Sequence, residues 1–116
     1  MAVGCALSRK GEGMARQWNL TLLNVPFDPR TILYVWNKAA VVPGYNPSEL
    51  RKDRCGAWIR FADYGNINSD FGWEIDHDKP LAKGGTDEPN NLQPLHWRNN
   101  RGKSDDWPNW ICSVTG

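Results

Sequence analysis

The period of apolar positions changes along the chain, and each change marks an element. Ile32, Leu33, Val35 and Trp36 form a mostly apolar face behind Asp28-Pro29, an N-cap residue followed by proline at the first helical position. This predicts a helix reaching about Ala40. Val41 to Tyr45 reads as a turn. Asn46-Pro47-Ser48-Glu49 has the cap residue and the glutamate of a capping box, which predicts a short helix to about Asp53. Ala57-Trp58-Ile59-Arg60-Phe61 is an expected strand, followed by a polar loop from Asp63 to Asp70. In the expected strand from Phe71 to His77, Trp73, Ile75 and His77 share one face while Glu74 and Asp76 share the other. Pro80 and Gly84-Gly85 signal a loop, so this strand is expected to end or bend at Asp76-His77. Leu92 and Leu95 make Asn91 to Leu95 a second short strand despite Pro94. His96 to Lys103 follows as a short helix, on which Asn100 and Lys103 share a side at i and i+3. Gly102 costs that helix about 1 kcal/mol. Beyond Asp105, Trp107 and Trp110 are expected to cover the core rather than to stack on bases.

Composition sets the scale. A chain of 116 residues, 40% hydrophobic with seven tryptophans, supports one domain, expected over 17–116 behind a flexible tail over 1–16 in which Met14 could serve as a start. The piece from Trp73 to Asp105 is too short to stand alone, since segments below about 40 residues usually need disulfides, metals or a partner; the upstream region must pack against it. No apolar run is long enough to span a membrane, and Met1 to Met14 lacks the apolar stretch of a secretory signal. Cys5, Cys55 and Cys112 form no C-x-x-C pair, which argues against a structural zinc ribbon. Their odd count favours reduced thiols and a cytoplasmic location.

Charge alters the picture less than expected for a nucleic-acid partner. The formal net charge is +1, without the strongly basic signature of many DNA-binding domains. Only the run from His96 to Lys103 is locally positive, through Arg98, Arg101 and Lys103. Arg51, Lys52, Arg54 and Arg60 would extend a phosphate-contacting surface if the fold brings them to the same side.

The candidate chemistry lies in one spacing. Asn91 stands fourteen residues after the dipeptide Asp76-His77, Asn100 nine further on, and Lys103 three beyond that. Phosphodiester hydrolysis at neutral pH needs a nucleophilic water and a cation on the oxygens where negative charge grows. An imidazole with a pKa near ~6.5 suits the first task, and His77 is one of two histidines in the chain. A hard divalent cation such as Mg²⁺ takes oxygen ligands and keeps most of its waters, so one carboxylate and one amide oxygen suffice. Asp76 and Asn100 can supply them.

The stretch Trp73-Glu74-Ile75-Asp76-His77-Asp78-Lys79-Pro80, with Lys83-Gly84-Gly85, Asn90-Asn91-Leu92-Gln93-Pro94-Leu95-His96 and Asn99-Asn100-Arg101-Gly102-Lys103-Ser104-Asp105, resembles the HNH endonuclease family in its H-N-N variant. Trp36-Asn37-Lys38, Pro43-Gly44-Tyr45, Arg51-Lys52-Asp53 and Cys55-Gly56-Ala57-Trp58-Ile59 also look like its small stand-alone bacterial and phage members. The resemblance implies an α+β fold with a ββα-metal core at the C-terminal side, motif 73–105, and N-terminal helices and a short strand packed against it. It implies Asp76 and Asn100 as metal ligands, His77 as general base, Asn91 as the residue that braces the loop and orients His77, and Lys103 as a phosphate contact.

Other assignments stay open at this point. Asn99 is an alternative to Asn100, and Asn90 to Asn91. His96, Asn99 and Arg101 are candidate additional ligands or substrate contacts; Arg98, Arg51, Lys52 and Arg54 are candidate nucleic-acid contacts. The expected cofactor is Mg²⁺, with Mn²⁺, Ni²⁺ or Zn²⁺ as alternatives. The expected substrate is double-stranded DNA, cut by one subunit or by a homodimer. The competing readings are an RNA-cleaving or toxin-type nuclease and a non-catalytic DNA-binding or phage-packaging module.

Overall fold

The computed structural model describes residues 18–116, so the expected N-terminal tail over 1–16 and Cys5 lie outside the described residues. Helix α1, Pro29–Trp36, starts as its sequence predicts: the Asp28 carboxylate accepts the Thr31 N–H at 2.8 Å, and that bond lowers its pKa. The helix stops at Trp36, short of the expected Ala40. Ala40 instead exchanges both of its backbone hydrogen bonds with Lys52, a pairing that a helical residue cannot make.

The second expected helix is a strand. Asn46 to Glu49 makes a single turn, in which the Asn46 side chain accepts from Ser48 N–H, and the chain then extends into β1, Leu50–Lys52. A cap without further turns behind it does not repay helix nucleation. The ladder offered by β2, Trp58–Arg60, takes up the segment instead, with Arg51 opposite Ile59.

The site-bearing unit is the hairpin of β3, Trp73–His77, and β4, Leu92–His96, followed directly by helix α2, Trp97–Lys103. The pairing is antiparallel, with Ile75 opposite Pro94, Asp76 opposite Gln93 and His77 opposite Leu92. One face carries Trp73, Ile75 and Leu92 into a core shared with Phe27, Val35, Trp36, Ala39 and Ile59, so α1 and β2 back the hairpin. The other face carries Glu74, Asp76 and Leu95 toward α2. This is the ββα arrangement that the resemblance implied, in an α+β molecule with two small antiparallel sheets.

Two details of the frame depart from expectation. Cys55 and Cys112 form a disulfide, so the inference from an odd cysteine count to reduced thiols does not hold for this pair. The glycine that weakens α2 also has a packing reason: a Cβ on Gly102 would collide with the Ser113 hydroxyl of the C-terminal segment. Among the described residues, no helix is long and apolar enough to cross a membrane.

Candidate active site

A cavity of about 220 Å³ opens beside the end of the hairpin, lined by Ile75, Asp76, His77, Asn100, Ser104 and Asp105, with Trp18 to Leu20 and Pro80 to Ala82 around it. Strand β3 ends at His77, as expected, and it pairs regularly with β4 up to that residue. Alternation therefore sends Asp76 and His77 to opposite faces. Both nevertheless line one cavity, together with Ile75, whose N–H points to the edge of β3 away from β4. Asn19 covers that edge, its side-chain oxygen accepting the Ile75 N–H at 2.8 Å and the Tyr64 hydroxyl at 2.9 Å.

Asp76 is 6% exposed. Burial pushes its carboxyl above the usual range, while the hydrogen bond from Gln93 and the positive charge of Lys103 pull the other way. Gln93 reaches Asp76 straight across the hairpin, Nε2 to Oδ2 at 2.8 Å. Lys103 departs from its expected role as a phosphate contact. It is fully buried, with Nζ 3.3 Å from the Asp76 carboxylate and 3.1 Å from the His77 carbonyl oxygen. At the last turn of α2 its stem runs under the helix, and a buried ammonium needs those acceptors.

Asn100, 3% exposed, donates through Nδ2 to Glu74 Oε1 at 2.8 Å. With the amide nitrogen committed there, the amide oxygen is the pole left for the cavity. His77 places Nε2 2.8 Å from Asp87 Oδ1. A carboxylate only accepts, so Nε2 carries the shared proton and Nδ1 of the neutral ring keeps its lone pair.

Asn91 braces the loop between β3 and β4. Its side chain accepts the Lys79 N–H at 2.9 Å and donates to the carbonyls of Lys79 at 3.1 Å and Thr86 at 2.8 Å. Its own carbonyl accepts from Asp78 N–H. The His77 ring itself is held by Asp87 and packs against Phe27.

Residues 54–106 match the family model for HNH endonuclease. The chain carries an HNH endonuclease domain. Comparison with curated proteins and with solved structures finds no match. Proteins of the HNH family are generally nucleases that hydrolyse phosphodiester bonds, and the matched segment contains Asp76, His77, Asn91 and Asn100.

The remaining candidates lie elsewhere in or around the HNH domain. His96 is buried at the opposite end of β4 from Leu92, its Nδ1 accepting from Arg98 N–H and its Nε2 on the Asp70 carbonyl oxygen; both nitrogens serve the fold rather than a ligand. Asn99 is also removed as a ligand candidate. Its side chain binds Asp53 and the backbone of Ser113 and Val114, fastening the C-terminal segment. Arg101 pairs with Glu74 at 2.8 Å. Arg51 directs its guanidinium to the carbonyls of Pro47, Asn37 and Ala39, which ties β1 to the loop after α1 and uses the donors a phosphate would need. Arg98 lies over Trp97. Lys52 and Arg54 line a second groove of about 430 Å³ with Lys38, Asn90 and Gln93. Gln93 connects that groove to the site, because its Oε1 accepts from Arg54 at 3.0 Å while its Nε2 holds Asp76.

Sequence reasoning missed Glu74, Gln93, Asp87 and Asp53. Alternation along β3 placed Glu74 on the Asp76 face, and a correct hairpin register would have set Gln93 opposite Asp76. No pattern pointed to Asp87, whose approach to His77 depends on the path of an irregular loop. Asp53 joins the β1–β2 turn to the start of α2 by accepting from Ala57 N–H, His96 N–H and Asn99.

The donor set fits a hard divalent cation. Among the described residues no three carboxylate, histidine or cysteine side chains cluster as a metal cage. One buried carboxylate and one amide oxygen, with room for water, are nevertheless what Mg²⁺ commonly accepts from a protein.

Proposed function

We propose that the HNH domain is a divalent-metal-dependent endonuclease acting on double-stranded DNA. The observation that carries this reading is the tether of His77 to Asp87 at the rim of a cavity that also contains Asp76 and Asn100. Binding alone needs no base, whereas hydrolysis does.

His77 Nδ1 accepts a proton from the water that attacks phosphorus, and Asp87 stabilises the imidazolium that forms. Asp76 and Asn100 would hold the cation. When bound, Mg²⁺ neutralises charge growing on the phosphate oxygens and on the departing 3′ oxygen, leaving 5′-phosphate and 3′-hydroxyl ends. Lys103 keeps Asp76 aligned from below, and Gln93 does so from across the hairpin. The groove with Lys52 and Arg54 offers cationic contacts for a neighbouring stretch of backbone. Few cations project toward substrate, so affinity per subunit should be modest and fall with salt.

Plasmid cleavage across a series of divalent metals tests the reading. His77→Ala should lower the rate by about 10²–10⁴-fold while Mn²⁺ binding by calorimetry stays parental. Digestion by His77→Ala at the parental rate would remove His77 as base. Supercoiled DNA, single-stranded DNA and structured RNA at matched salt identify the substrate, and cleavage confined to RNA would overturn the DNA assignment. Measurable DNA affinity without nicking in any metal would favour a non-catalytic module.

A further inference from the structure

We propose that Glu74 is a positioning residue that decides which pole of the Asn100 amide faces the metal cavity; this rests on the reading of Asn100 as a ligand. An asparagine has an oxygen at one pole and an NH₂ at the other, and only the oxygen can ligate a cation. The two poles are nearly the same in size, so packing alone does not choose between them. Something must read the difference.

Glu74 does. Its side chain is 2% exposed and lies beneath α2 on the same face of β3 as Asp76. Oε1 accepts Asn100 Nδ2 at 2.8 Å, and Oε2 accepts Arg101 NH2 at 2.8 Å. A carboxylate offers no proton, so it accommodates the NH₂ pole and repels the oxygen pole. The Arg101 ion pair fixes the direction of the carboxylate. The chain of constraint runs from Arg101 to Glu74 to Asn100 and ends with an oxygen toward the cavity that Asp76 also lines. Two adjacent residues of one helix thus share a carboxylate, one serving the site and the other holding the carboxylate in place.

The function of Glu74 differs from that of a buried ion pair kept for stability. A stability role requires any well-packed pair, whereas an orienting role requires an acceptor without a donor. Glu74→Gln separates the two. The introduced amide keeps the shape but can donate to Asn100, which lets the Asn100 amide turn its nitrogen to the cavity.

The experiment measures Mn²⁺ affinity of the full chain by calorimetry, with thermal melts as a folding control. Glu74→Gln should weaken Mn²⁺ binding by about tenfold, the low end of losses when a ligand's hydrogen-bond partner is removed. In an Asn100→Asp background the sign should reverse. A carboxylate presents oxygen at both poles, so Glu74→Gln then supplies a donor where two buried carboxylates would otherwise face each other, and affinity should rise. An equal loss in both backgrounds would assign Glu74 a structural role only and overturn the proposal. If Asn100→Ala weakens binding but Glu74→Gln does not, the proposal fails and Asn100 stands as a ligand; if Asn100→Ala binds Mn²⁺ as the parent does, both readings fail. Should Glu74→Gln not fold, the pair Glu74→Met with Arg101→Leu removes both charges at similar volume. Parental Mn²⁺ affinity in that pair would likewise overturn the proposal.

Discussion

Asn19 places one amide oxygen on two partners, the Ile75 N–H and the Tyr64 hydroxyl, and so holds a wall of the site against the edge of β3 away from β4. Tyr64 is the half of that arrangement that titrates. Burial raises its pKa to about 12, and the Glu74 charge adds to the rise. An unfolded tyrosine ionises near pH 10. Between about 10 and about 12 the unfolded chain has released this proton while the folded chain retains it. The folded state then binds more protons, and stability falls as pH rises through that window; below it the contribution is complete. Tyr64→Phe should therefore flatten the alkaline loss of stability, read as urea midpoints at about pH 9 and about pH 11.5. Equal slopes in variant and parent would show that Tyr64 is not the group responsible.

At the scale of elements, the loop between β3 and β4 is a closed unit fastened by one side chain. Asn91 is suited to it because an amide both accepts and donates, and the loop presents an N–H and two carbonyls to it. His77 stands at the start of this loop and Asp87 near its end, so the bracing by Asn91 sets the distance between base and partner. Asn91→Asp keeps the acceptor but turns two donors into a charge facing two carbonyls. It should lower stability by about 1–3 kcal/mol and reduce plasmid cleavage more than it reduces Mn²⁺ affinity. A variant with parental midpoint and parental rate would show that the loop does not depend on this residue. The hairpin and α2 were legible in the sequence because alternation in β3, the Gly84-Gly85 turn and the asparagine spacing agree with one another. Strand β1 was not. Asn46 to Glu49 satisfies the local rule for a helix start, but Leu50 to Lys52 gains a ladder from Trp58 to Arg60 that no local rule contains. Lys103 was misjudged for a related reason: its position on α2 was correct, but burial depends on Asp76 and the His77 carbonyl arriving from another element.

At the scale of the molecule, the frame is closed by contacts between residues far apart in sequence, and these are what sequence spacing hides. Asp53 links the β1–β2 turn to the start of α2, Asn99 fastens the C-terminal segment to that helix, and Cys55–Cys112 closes the same junction covalently across a sequence separation of 57. The segment so held lays Trp110 over Arg54 and Trp107 over Lys79, next to both grooves. The disulfide and the Asn99 contacts act on the same segment but not on the same state. Hydrogen bonds stabilise the folded chain, whereas the covalent link chiefly restricts the unfolded one. A loop of this length gives about 4 kcal/mol in the chain-entropy limit and ordinarily about 2–4 kcal/mol. The pair Cys55→Ala with Cys112→Ala should therefore lower the urea midpoint by a corresponding amount. Mn²⁺ affinity of the fraction that remains folded should stay parental, because Asp76, Gln93, Glu74 and Asn100 are positioned by the hairpin and α2 without the link. Addition of a reductant to the parent should reproduce the shift. A variant as stable as the parent would mean that the contacts made by Asn99 and Asp53 already hold the segment, and that the covalent bond adds nothing to them.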